Sequence, residues 1–387
     1  MRDTILLFES RDLCYESNQF FMERLKEGLE AHGCPVELCD LSVRMEEKLA
    51  AILERQESYR AAIDFNSLLP RVELEDGTPY LTAFQVPFFN YLVDHPLYHH
   101  AGLKRAFPCY HVICIDLFHQ SYIRQYYPQI GKAHYLPLGA MQAPLERSFD
   151  QKRLELLFLG TYEPEERLYQ ELWDYPEEKR KEIASLIERM EADPALRQEE
   201  ALCQYLNERG ECLDAPAFAE RLNSDYLSDK YLRNAKRKHA ALSAARAGVP
   251  FTIVGHGWDA VKQLRQRHVC LRAGVSFAAS LQVMANARML LNTTPGFHGG
   301  LHDRVYSAMR NHTLCLTEET EFSRRALTDG ENAVLYDETD KDALAEKITF
   351  YSEHRERAEA IAKRAYQISC AQDGWEKRAE KILEWIG

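Results

Sequence analysis

The chain has 387 residues, which is long for one hydrophobic core and sufficient for two domains of ordinary size. Hydrophobic residues make up 45% of it, and no apolar run approaches the ~20 residues that a membrane-spanning helix requires. The formal net charge is -12 and no broad basic face is evident, which disfavours a nucleic-acid partner. Composition therefore predicts a two-domain globular protein with no transmembrane segment.

The first residues, MRDTILLFES, contain too few apolar positions before charge returns to form the core of a signal peptide. The ten cysteines are scattered and include no Cys-x-x-Cys pair, so neither a zinc site nor a disulfide framework is predicted. We therefore expect a cytoplasmic protein.

Strand and helix patterns alternate through residues 1–140. Short apolar runs, typical of buried strands, are separated by segments with helical spacing. Because only crossovers can join parallel neighbours, this alternation predicts a parallel sheet covered on both faces. The motif G-x-G-x-x-G is missing after the first strand, where residues 10–15 read SRDLCY, so a classical NAD site is disfavoured. The predicted strands are Thr4–Glu9 and residues 36–41, 61–65, 88–93, 112–116 and 133–138.

A domain boundary is predicted between residues 140 and 152, where a polar stretch precedes a new apolar run. We place the N-terminal domain at 1–145 and the C-terminal domain at 146–372, and expect a last helix at 373–387 to pack back toward the N-terminal domain. Residues from about 164 to 230 form a charged, helical insertion, either structural filling or a surface for an acceptor, a protein partner or a membrane. Further helices are predicted at 231–247, 281–288 and 341–370, and strands at 154–159, 251–254, 289–291, 313–317 and 333–336.

The stretch from residue 289 to 319 has the pattern strand, glycine loop, helix, strand. Glycines allow the backbone to approach a ligand closely, and the N–H groups at a helix start favour an anion. The loop and the helix start contain His298, Gly299, Gly300, His302 and Arg304. The pattern predicts a diphosphate pocket here, with an ordinary βαβ turn as the alternative.

Four motifs follow one another in the C-terminal half. They are Leu159-Gly160-Thr161-Tyr162, Gly255-His256-Gly257-Trp258, Leu291-Asn292 followed by Arg304-Val305-Tyr306-Ser307-Ala308-Met309, and Asp329-Gly330-Glu331-Asn332. In this order they resemble the CgeB-like (spore maturation protein-type) group of glycosyltransferases. The resemblance covers residues 150–370 well and the first half in outline. It implies the GT-B fold, an α/β fold of two Rossmann-like domains facing across a cleft, here with the helical insertion in the second domain.

The resemblance also implies a nucleotide-diphosphate sugar as co-substrate, with a UDP-sugar preferred, and no other cofactor. In this group a glutamate that usually holds the ribose stands at the position of Ser307, sometimes with a second one eight residues earlier, at the position of Gly299. Glu318 or Glu319 is the replacement we consider. Trp258 either stacks on the base or belongs to the interdomain core. The expected donor-binding residues are Gly160, Thr161, Gly255, His256, Gly257, Trp258, Asn292, His298, Gly299, Gly300, His302, Arg304, Ser307, Glu318 and Glu319.

The chemistry requires positive charge and N–H donors where the diphosphate leaves, and Arg304 with the loop before it supplies both. An inverting transfer also needs a base that takes the proton of the acceptor hydroxyl. Asp94, at the carboxyl end of a buried strand, is the favoured base and His95 is its rival. The alternative is that Asp94 only caps the turn before Pro96.

No metal site is predicted. Asp340 and Asp342 open a helix that carboxylates suit as caps, and His298 with His302 lacks a third ligand of clear spacing. We expect a metal-independent glycosyltransferase that acts on a hydroxyl or other nucleophile of an unknown acceptor, which is a glycan, a small molecule or a peptide. The alternatives are a nucleotide-sugar epimerase of the same fold and a non-catalytic scaffold that binds sugar nucleotides.

Overall fold

The computed structural model describes residues 3–9, 17–294 and 296–387. The chain divides into two compact units. The first unit consists of Met1–Gly139, Leu213–Asn223 and Asp373–Gly387, and the second of Ala140–Cys212 and Ser224–Gln372. We predicted boundaries at 145 and 372, and the units divide after Gly139 and after Gln372. The segment at 10–15 that lacks the dinucleotide motif lies outside the described residues.

The first unit contains a six-stranded parallel sheet with the order β2-β1-β3-β4-β5-β6. Strand β4 has the sequence FFNYL, and all five residues are buried, as expected for a parallel strand covered on both faces. The strands are β1 (Thr4–Glu9), β2 (Val36–Asp40), β3 (Tyr59–Phe65), β4 (Phe88–Leu92), β5 (Tyr110–Cys114) and β6 (Lys132–Tyr135). The helices in the first part of the chain are α1 (Ser17–Ala31), α2 (Met45–Glu54), α3 (Tyr80–Ala83), α4 (His100–Leu103) and α5 (Leu117–Tyr126).

The second unit contains another six-stranded parallel sheet, with the order β12-β11-β10-β7-β8-β9. The strands are β7 (Leu154–Leu159), β8 (Phe251–Val254), β9 (Val269–Arg272), β10 (Ala287–Leu291), β11 (Leu314–Glu318) and β12 (Val334–Tyr336). The remaining helices are α6 (Glu165–Leu172), α7 (Glu177–Ala192), α8 (Gln198–Glu208), α9 (Ala215–Ser224), α10 (Tyr226–Ala245), α11 (Phe277–Ala285), α12 (Asp303–Arg310), α13 (Glu321–Ala326), α14 (Lys341–Glu353), α15 (Arg355–Gln372) and α16 (Trp375–Ile386).

Each face of the second sheet has its own core. Along β7, Leu156 and Phe158 belong to one hydrophobic cluster, and Leu157 and Leu159 belong to the cluster on the opposite face. This alternation follows from the two-residue period of a strand. The predicted α/β class with two Rossmann-like parallel sheets is confirmed.

The last helix belongs to the first unit and packs on α1. Its first residue, Trp375, stacks on Phe21 with ring centroids 5.7 Å apart. Gly139 leaves room for the indole, because a Cβ at this position would lie 2.7 Å from the Trp375 ring. The aromatic contact therefore anchors α16 to the first sheet's helical layer.

The strand order reverses direction between β1 and β3 in the first sheet and between β7 and β10 in the second. In open parallel sheets, ligands bind outside the carboxyl ends of the strands at such a point. The loops that follow β7 and β10 are therefore the place to look for a ligand in the second unit.

Two predicted helices have other bounds in the structure, and one strand was not predicted. The predicted helix at 341–370 is two helices, because the chain leaves helical geometry at His354, whose Nδ1 lies 2.8 Å from the Phe350 carbonyl oxygen. The predicted helix at 281–288 ends at Ala285, and residues from Ala287 onward form β10. Strand β9 was not predicted, because every second residue of this four-residue edge strand is exposed. Among the described residues, no helix has the length and hydropathy needed to cross a bilayer.

Candidate functional site

Two loops at the carboxyl edge of the second sheet pack directly on each other. The Tyr162 backbone N–H donates to the His256 carbonyl oxygen at 2.9 Å. Gly257 has φ +82, and a Cβ there would lie 1.9 Å from the Tyr162 carbonyl oxygen. A Cβ at Gly255 would likewise lie 2.0 Å from the Gly160 carbonyl oxygen. The glycines at 255 and 257 are thus required for the contact between the loops, whereas we had assigned them to the donor.

Trp258 is 2% exposed and lies inside the second unit. Its ring stacks on Tyr162 with centroids 5.0 Å apart and meets the edge of Phe158 at 5.4 Å. Its indole N–H donates to the Gly160 carbonyl oxygen at 2.7 Å. These contacts favour the second of the two interpretations of Trp258, a core residue, because the ring is part of the unit's own core and its only polar group is already bonded.

Arg304 lies in the first turn of α12, as predicted, and its guanidinium extends to the carboxyl end of β7. There Nη1 donates to the Leu159 carbonyl oxygen, and a Cβ on Gly160 would be 3.6 Å from Nη1. The Arg304 backbone N–H and Nε each lie 3.3 Å from His302 Nδ1, and Nη2 lies 3.1 Å from Nε2 of the same ring. The structure therefore brings Gly160, His302 and Arg304 together at the point where the strand order reverses.

The ionisation of this cluster follows from its burial and its charges. Burial, and then Arg304, lower the pKa of His302 below its ordinary value. Burial raises the pKa of Asp303, but His302 and Arg304 lower it by more, so its net shift is downward. Burial lowers the pKa of Arg304, which nonetheless stays charged at neutral pH. The site therefore contains a half-buried guanidinium, a neighbouring carboxylate and a histidine that is neutral at pH 7.

Helix α10 brings a second guanidinium to the same edge. Arg237 Nη1 donates to the Thr161 carbonyl oxygen at 2.8 Å, and Arg237 also contributes to lowering the His302 pKa, after burial and Arg304. Arg237 lies in a basic run of this helix, from Lys230 to His239. Three lysines of this run are paired within the second unit: Lys230 with Glu163 at 3.1 Å, Lys236 with Glu338 at 2.9 Å and Lys238 with Glu165 at 2.8 Å.

In the first unit, Asp94 follows β4 and is held by Asn66, which follows β3. Asn66 has a left-handed backbone, with φ 48, and its Nδ2 donates to Asp94 Oδ2 at 2.8 Å. Its Oδ1 accepts from the Val93 N–H at 2.9 Å, so one amide side chain fixes both the backbone and the carboxylate at this strand end. The sequence signal that could have identified Asn66 is an asparagine directly after a buried strand, since asparagine tolerates the left-handed region.

His95 caps the turn that follows Asp94. Its Nδ1 accepts from the Leu97 N–H at 3.0 Å, and its ring packs edge-on against His119 at 4.5 Å. The capping role proposed as the alternative for Asp94 thus belongs to His95. His99 lies nearby, and burial lowers its pKa to about 4 although Asp94 acts in the opposite direction. Asp94 therefore has neutral imidazole and amide neighbours at neutral pH.

Comparison with known proteins agrees with this arrangement. Residues 233–384 match the model of a family described as glycosyl transferase-like. No curated protein sequence matches the chain. Among solved structures, the chain is similar to Anabaena HepE in complex with UDP and glucose, with 12% identity, a TM-score of 0.53 and coverage of 99% of both chains.

Two further structures share the architecture. Sucrose-phosphate synthase from Thermosynechococcus elongatus is 12% identical, with a TM-score of 0.53 and coverage of 99% of this chain and 98% of that one. The β-glucosyltransferase of T4 phage is 11% identical, with a TM-score of 0.54 and coverage of 99% of both chains. The fold is GT-B. Identities this low establish the fold alone.

Within the GT-B fold, two residues expected at the donor have other contacts. Ser307 is 2% exposed, and its hydroxyl accepts from the Met141 N–H at 3.1 Å. Glu319 pairs with Arg324 at 2.7 Å. The Ser307 hydroxyl is thus engaged in a buried contact within the unit, whereas Glu319 lies at the surface in an exposed ion pair.

The segment after β10 is tied to the end of β11. Glu318 is 5% exposed, and its Oε2 accepts from the Thr294 N–H at 2.9 Å and from the Thr294 hydroxyl at 2.6 Å. Asn292 donates to Thr317 Oγ1 at 3.0 Å and its carbonyl oxygen accepts from the Tyr336 hydroxyl. These bonds fix the start of the loop, in which Pro295 lies outside the described residues.

The remaining predicted residues lie around this loop. Gly299 and Gly300 are buried, and His298 is half-buried. His298 lies near the insertion, since it adds to the lowering of the Glu200 pKa, which the hydrogen bond from Arg197 dominates. Thr161 and His256 are exposed at the sheet edge.

The segment after β9 was missed together with its strand. Gly274 lies against His256, because a Cβ there would be 2.5 Å from Nε2, and the next residue, Val275, is 47% exposed. An exposed apolar side chain beside a histidine at the carboxyl edge could contact the flat face of a ligand.

No group of three or more potential metal ligands occurs in the described part of the chain. Asp340, whose spacing from Asp342 resembles a metal motif, caps α14 by accepting from the N–H groups of Asp342 at 3.1 Å and Ala343 at 3.0 Å. This is the capping role that the sequence predicted for it.

Proposed function

We propose that the chain is a glycosyltransferase that moves a sugar from a nucleoside diphosphate sugar, preferably a UDP-sugar, to a hydroxyl or other nucleophile of an acceptor. The observation that carries the proposal is the position of Arg304, a half-buried guanidinium at the start of α12 and at the point between β7 and β10 where the strand order reverses. A leaving diphosphate needs fixed positive charge at such a point. The order of the four motifs supports placing the chain with the CgeB-like group.

The donor diphosphate would bind the N–H groups of the loop at 298–300 and the guanidinium groups of Arg304 and Arg237. In the unliganded protein Arg304 bonds to the Leu159 carbonyl and to His302, both of which are neutral acceptors. The diphosphate of a sugar nucleotide, with one negative charge on each phosphate, competes favourably with neutral acceptors for a guanidinium. Two arginines can supply the charge that a divalent ion provides in other enzymes, so we propose a metal-independent transfer. The exposed Val275 and His256 would border the base.

We assign the acceptor side to the first unit and the role of base to Asp94. Asn66 leaves Asp94 one carboxylate oxygen, Oδ1, for a substrate proton, because its amide bonds to Oδ2. A base held in one orientation by a hydrogen bond loses less entropy when it meets the acceptor hydroxyl. The acceptor is of the glycan, small-molecule or peptide class.

Donor binding is tested first, because a ligand that binds only the folded chain must raise its melting temperature. We expect UDP and UDP-sugars to raise Tm in the wild type and in Arg324→Ala, which removes an exposed arginine from α13. Arg304→Ala should weaken UDP binding by roughly tenfold or more, the usual loss for a hydrogen bond to a charged group, and Arg304→Lys by less. The absence of any rise with UDP in the wild type would contradict the proposal.

Transfer is tested by release of UDP from the UDP-sugar with and without candidate acceptors. We expect release that depends on an acceptor, and Asp94→Asn should abolish it while the UDP-induced rise in Tm stays unchanged. Conversion of the donor sugar to its epimer without UDP release would identify an epimerase instead. Binding of UDP without either reaction across the acceptor panel would favour the scaffold alternative.

A further inference from the structure

A pocket opens in the second unit at the carboxyl ends of β11 and β12, with a volume of about 310 Å³. Its sides come from α10, α14 and the end of α7, so the helical insertion closes it on one side. None of Gly160, His302 and Arg304 lines it. The volume is at the lower end of the range found for small-molecule sites, which suits a ligand smaller than a nucleotide.

The pocket combines apolar walls with an acidic floor. Met190, Pro194, Leu232 and Leu344 contribute the apolar surface. Five carboxylate side chains line the pocket, namely Glu191, Glu318, Asp337, Glu338 and Asp340. The single lysine among the lining residues, Lys236, already pairs with Glu338 at 2.9 Å. This balance repels phosphate and carboxylate groups and attracts a cation.

Glu318 shows where such a cation would bind. Glu318 is only 5% exposed as a residue, yet it forms no ion pair with any residue that the structure describes. Both hydrogen bonds to its side chain, from Thr294, end on Oε2, and no described residue donates to Oε1. Burial, followed by the charge of Glu338, raises the pKa of Glu318. Lys236 opposes this rise without pairing with Glu318, and Oε1 is not among the buried atoms that lack a partner, so it is an accessible acceptor for a positive group that enters the pocket.

We propose that this pocket binds a small organic amine, with its ammonium group on Glu318 Oε1 and its hydrocarbon body between α7, α10 and α14. The apolar walls remove the hydrocarbon surface from water, and the carboxylates select the charged end. The pocket shares Glu318 with the residues expected at the donor, but none of Gly160, His302 and Arg304 lines it. It is tested by binding alone, so it stands or falls independently of the transferase activity.

The test uses three probes of one shape in the full-length protein at fixed ionic strength: cyclohexylamine, cyclohexanol and cyclohexanecarboxylate. We expect cyclohexylamine alone to raise Tm in a saturable way and to give a measurable Kd by calorimetry. Equal effects of the amine and the alcohol would overturn the proposal, and so would the absence of an effect of the amine.

Two variants locate the binding. Glu318→Gln keeps an oxygen that can accept from Thr294 but removes the charge, and should weaken the amine by about tenfold or more, as expected for a charged hydrogen bond. Its control is Glu346→Gln, an exposed residue of α14 that does not line the pocket, which should leave Kd unchanged. Ala235→Trp should fill the cavity and abolish binding, with folding checked by circular dichroism. Unchanged amine affinity in Glu318→Gln refutes the site even where Ala235→Trp fails to fold.

Discussion

Asp64 provides a sharp test of how burial controls stability in the first unit. It lies on β3, is fully buried, and neither of its carboxylate oxygens has a hydrogen-bond partner of good geometry among the described residues. Burial raises its pKa to about 8, although Ser67 and the backbone of Phe65 lie close enough to oppose the rise. The folded protein therefore keeps this carboxyl group protonated at neutral pH.

The size of the effect follows from the two pKa values. The unfolded chain releases the Asp64 proton near pH 4 and the folded chain near pH 8, so stability is lost progressively as the pH rises between them. Each pH unit corresponds to roughly 1.4 kcal/mol, which gives an upper limit of roughly 6 kcal/mol for the loss above pH 8. Asp64→Asn keeps the shape and removes the ionisation. We expect it to stabilise the first unit by several kcal/mol at pH 9 and by little at pH 4, on the same scale.

Hydrogen exchange of the β3 and β4 amides, followed by mass spectrometry, measures this change in the first unit alone. A global unfolding curve would mix two units and would not define a single free energy. The control is Asp76→Asn, which changes an exposed carboxylate that accepts from the Thr78 N–H at 2.9 Å and should give no added protection at pH 9. The reasoning is refuted if Asp64→Asn is no better protected than the wild type at pH 9, or if its gain is the same at pH 5.

Three further predictions concern other parts of the chain. Gly257→Ala should destabilise the second unit by about 3 kcal/mol, measured by hydrogen exchange of the β7 and β8 amides, because of its clash and its positive φ, whereas Gly248→Ala, with φ +70 and open space, should cost about 1 kcal/mol. Burial lowers the pKa of His134 to about 4, so the first unit should lose stability as the pH falls from 6.5 to 4, and His134→Phe should reduce that loss in exchange measurements. Asn66→Ala should lower the turnover of UDP-sugar without changing UDP binding, and an unchanged rate would remove Asn66 from the mechanism.

The inner strands of both sheets were largely predictable because they are short, mainly apolar runs that are buried on both faces. Five consecutive buried residues, as in β4, are typical of an inner strand of a parallel sheet that is covered on both faces. Strand β9 lacks that signal because it lies at a sheet edge and exposes every second residue. The helix break at His354 was not predicted either, because no glycine or proline marks it and the contact to the Phe350 carbonyl oxygen is made by a histidine side chain.

The candidate site was predictable only where local sequence determines it. The position of Arg304 at a helix start follows from the glycine loop and the apolar spacing after it, and the structure places it there. The environment of Trp258 depends on Phe158 and Tyr162, which belong to a different strand and loop, so the motif alone did not distinguish a ligand contact from a core contact. Asn66 follows one strand and bonds to residues that follow the adjacent strand. Neither segment's sequence alone shows that the two strands pair.

Position 307 explains why the resemblance is incomplete at this site. Ser307 accepts from the Met141 N–H, while the Asn311 side chain accepts from the Ala143 N–H at 2.8 Å and donates to the Met141 carbonyl at 2.8 Å. One face of α12 thus holds residues 141–143 of the same unit through three hydrogen bonds. A glutamate at 307 would bury a carboxylate in that contact and displace the segment, at a cost of several kcal/mol. Under the proposed function, α12 would therefore meet the donor through its first turn, where Arg304 lies, and not through position 307.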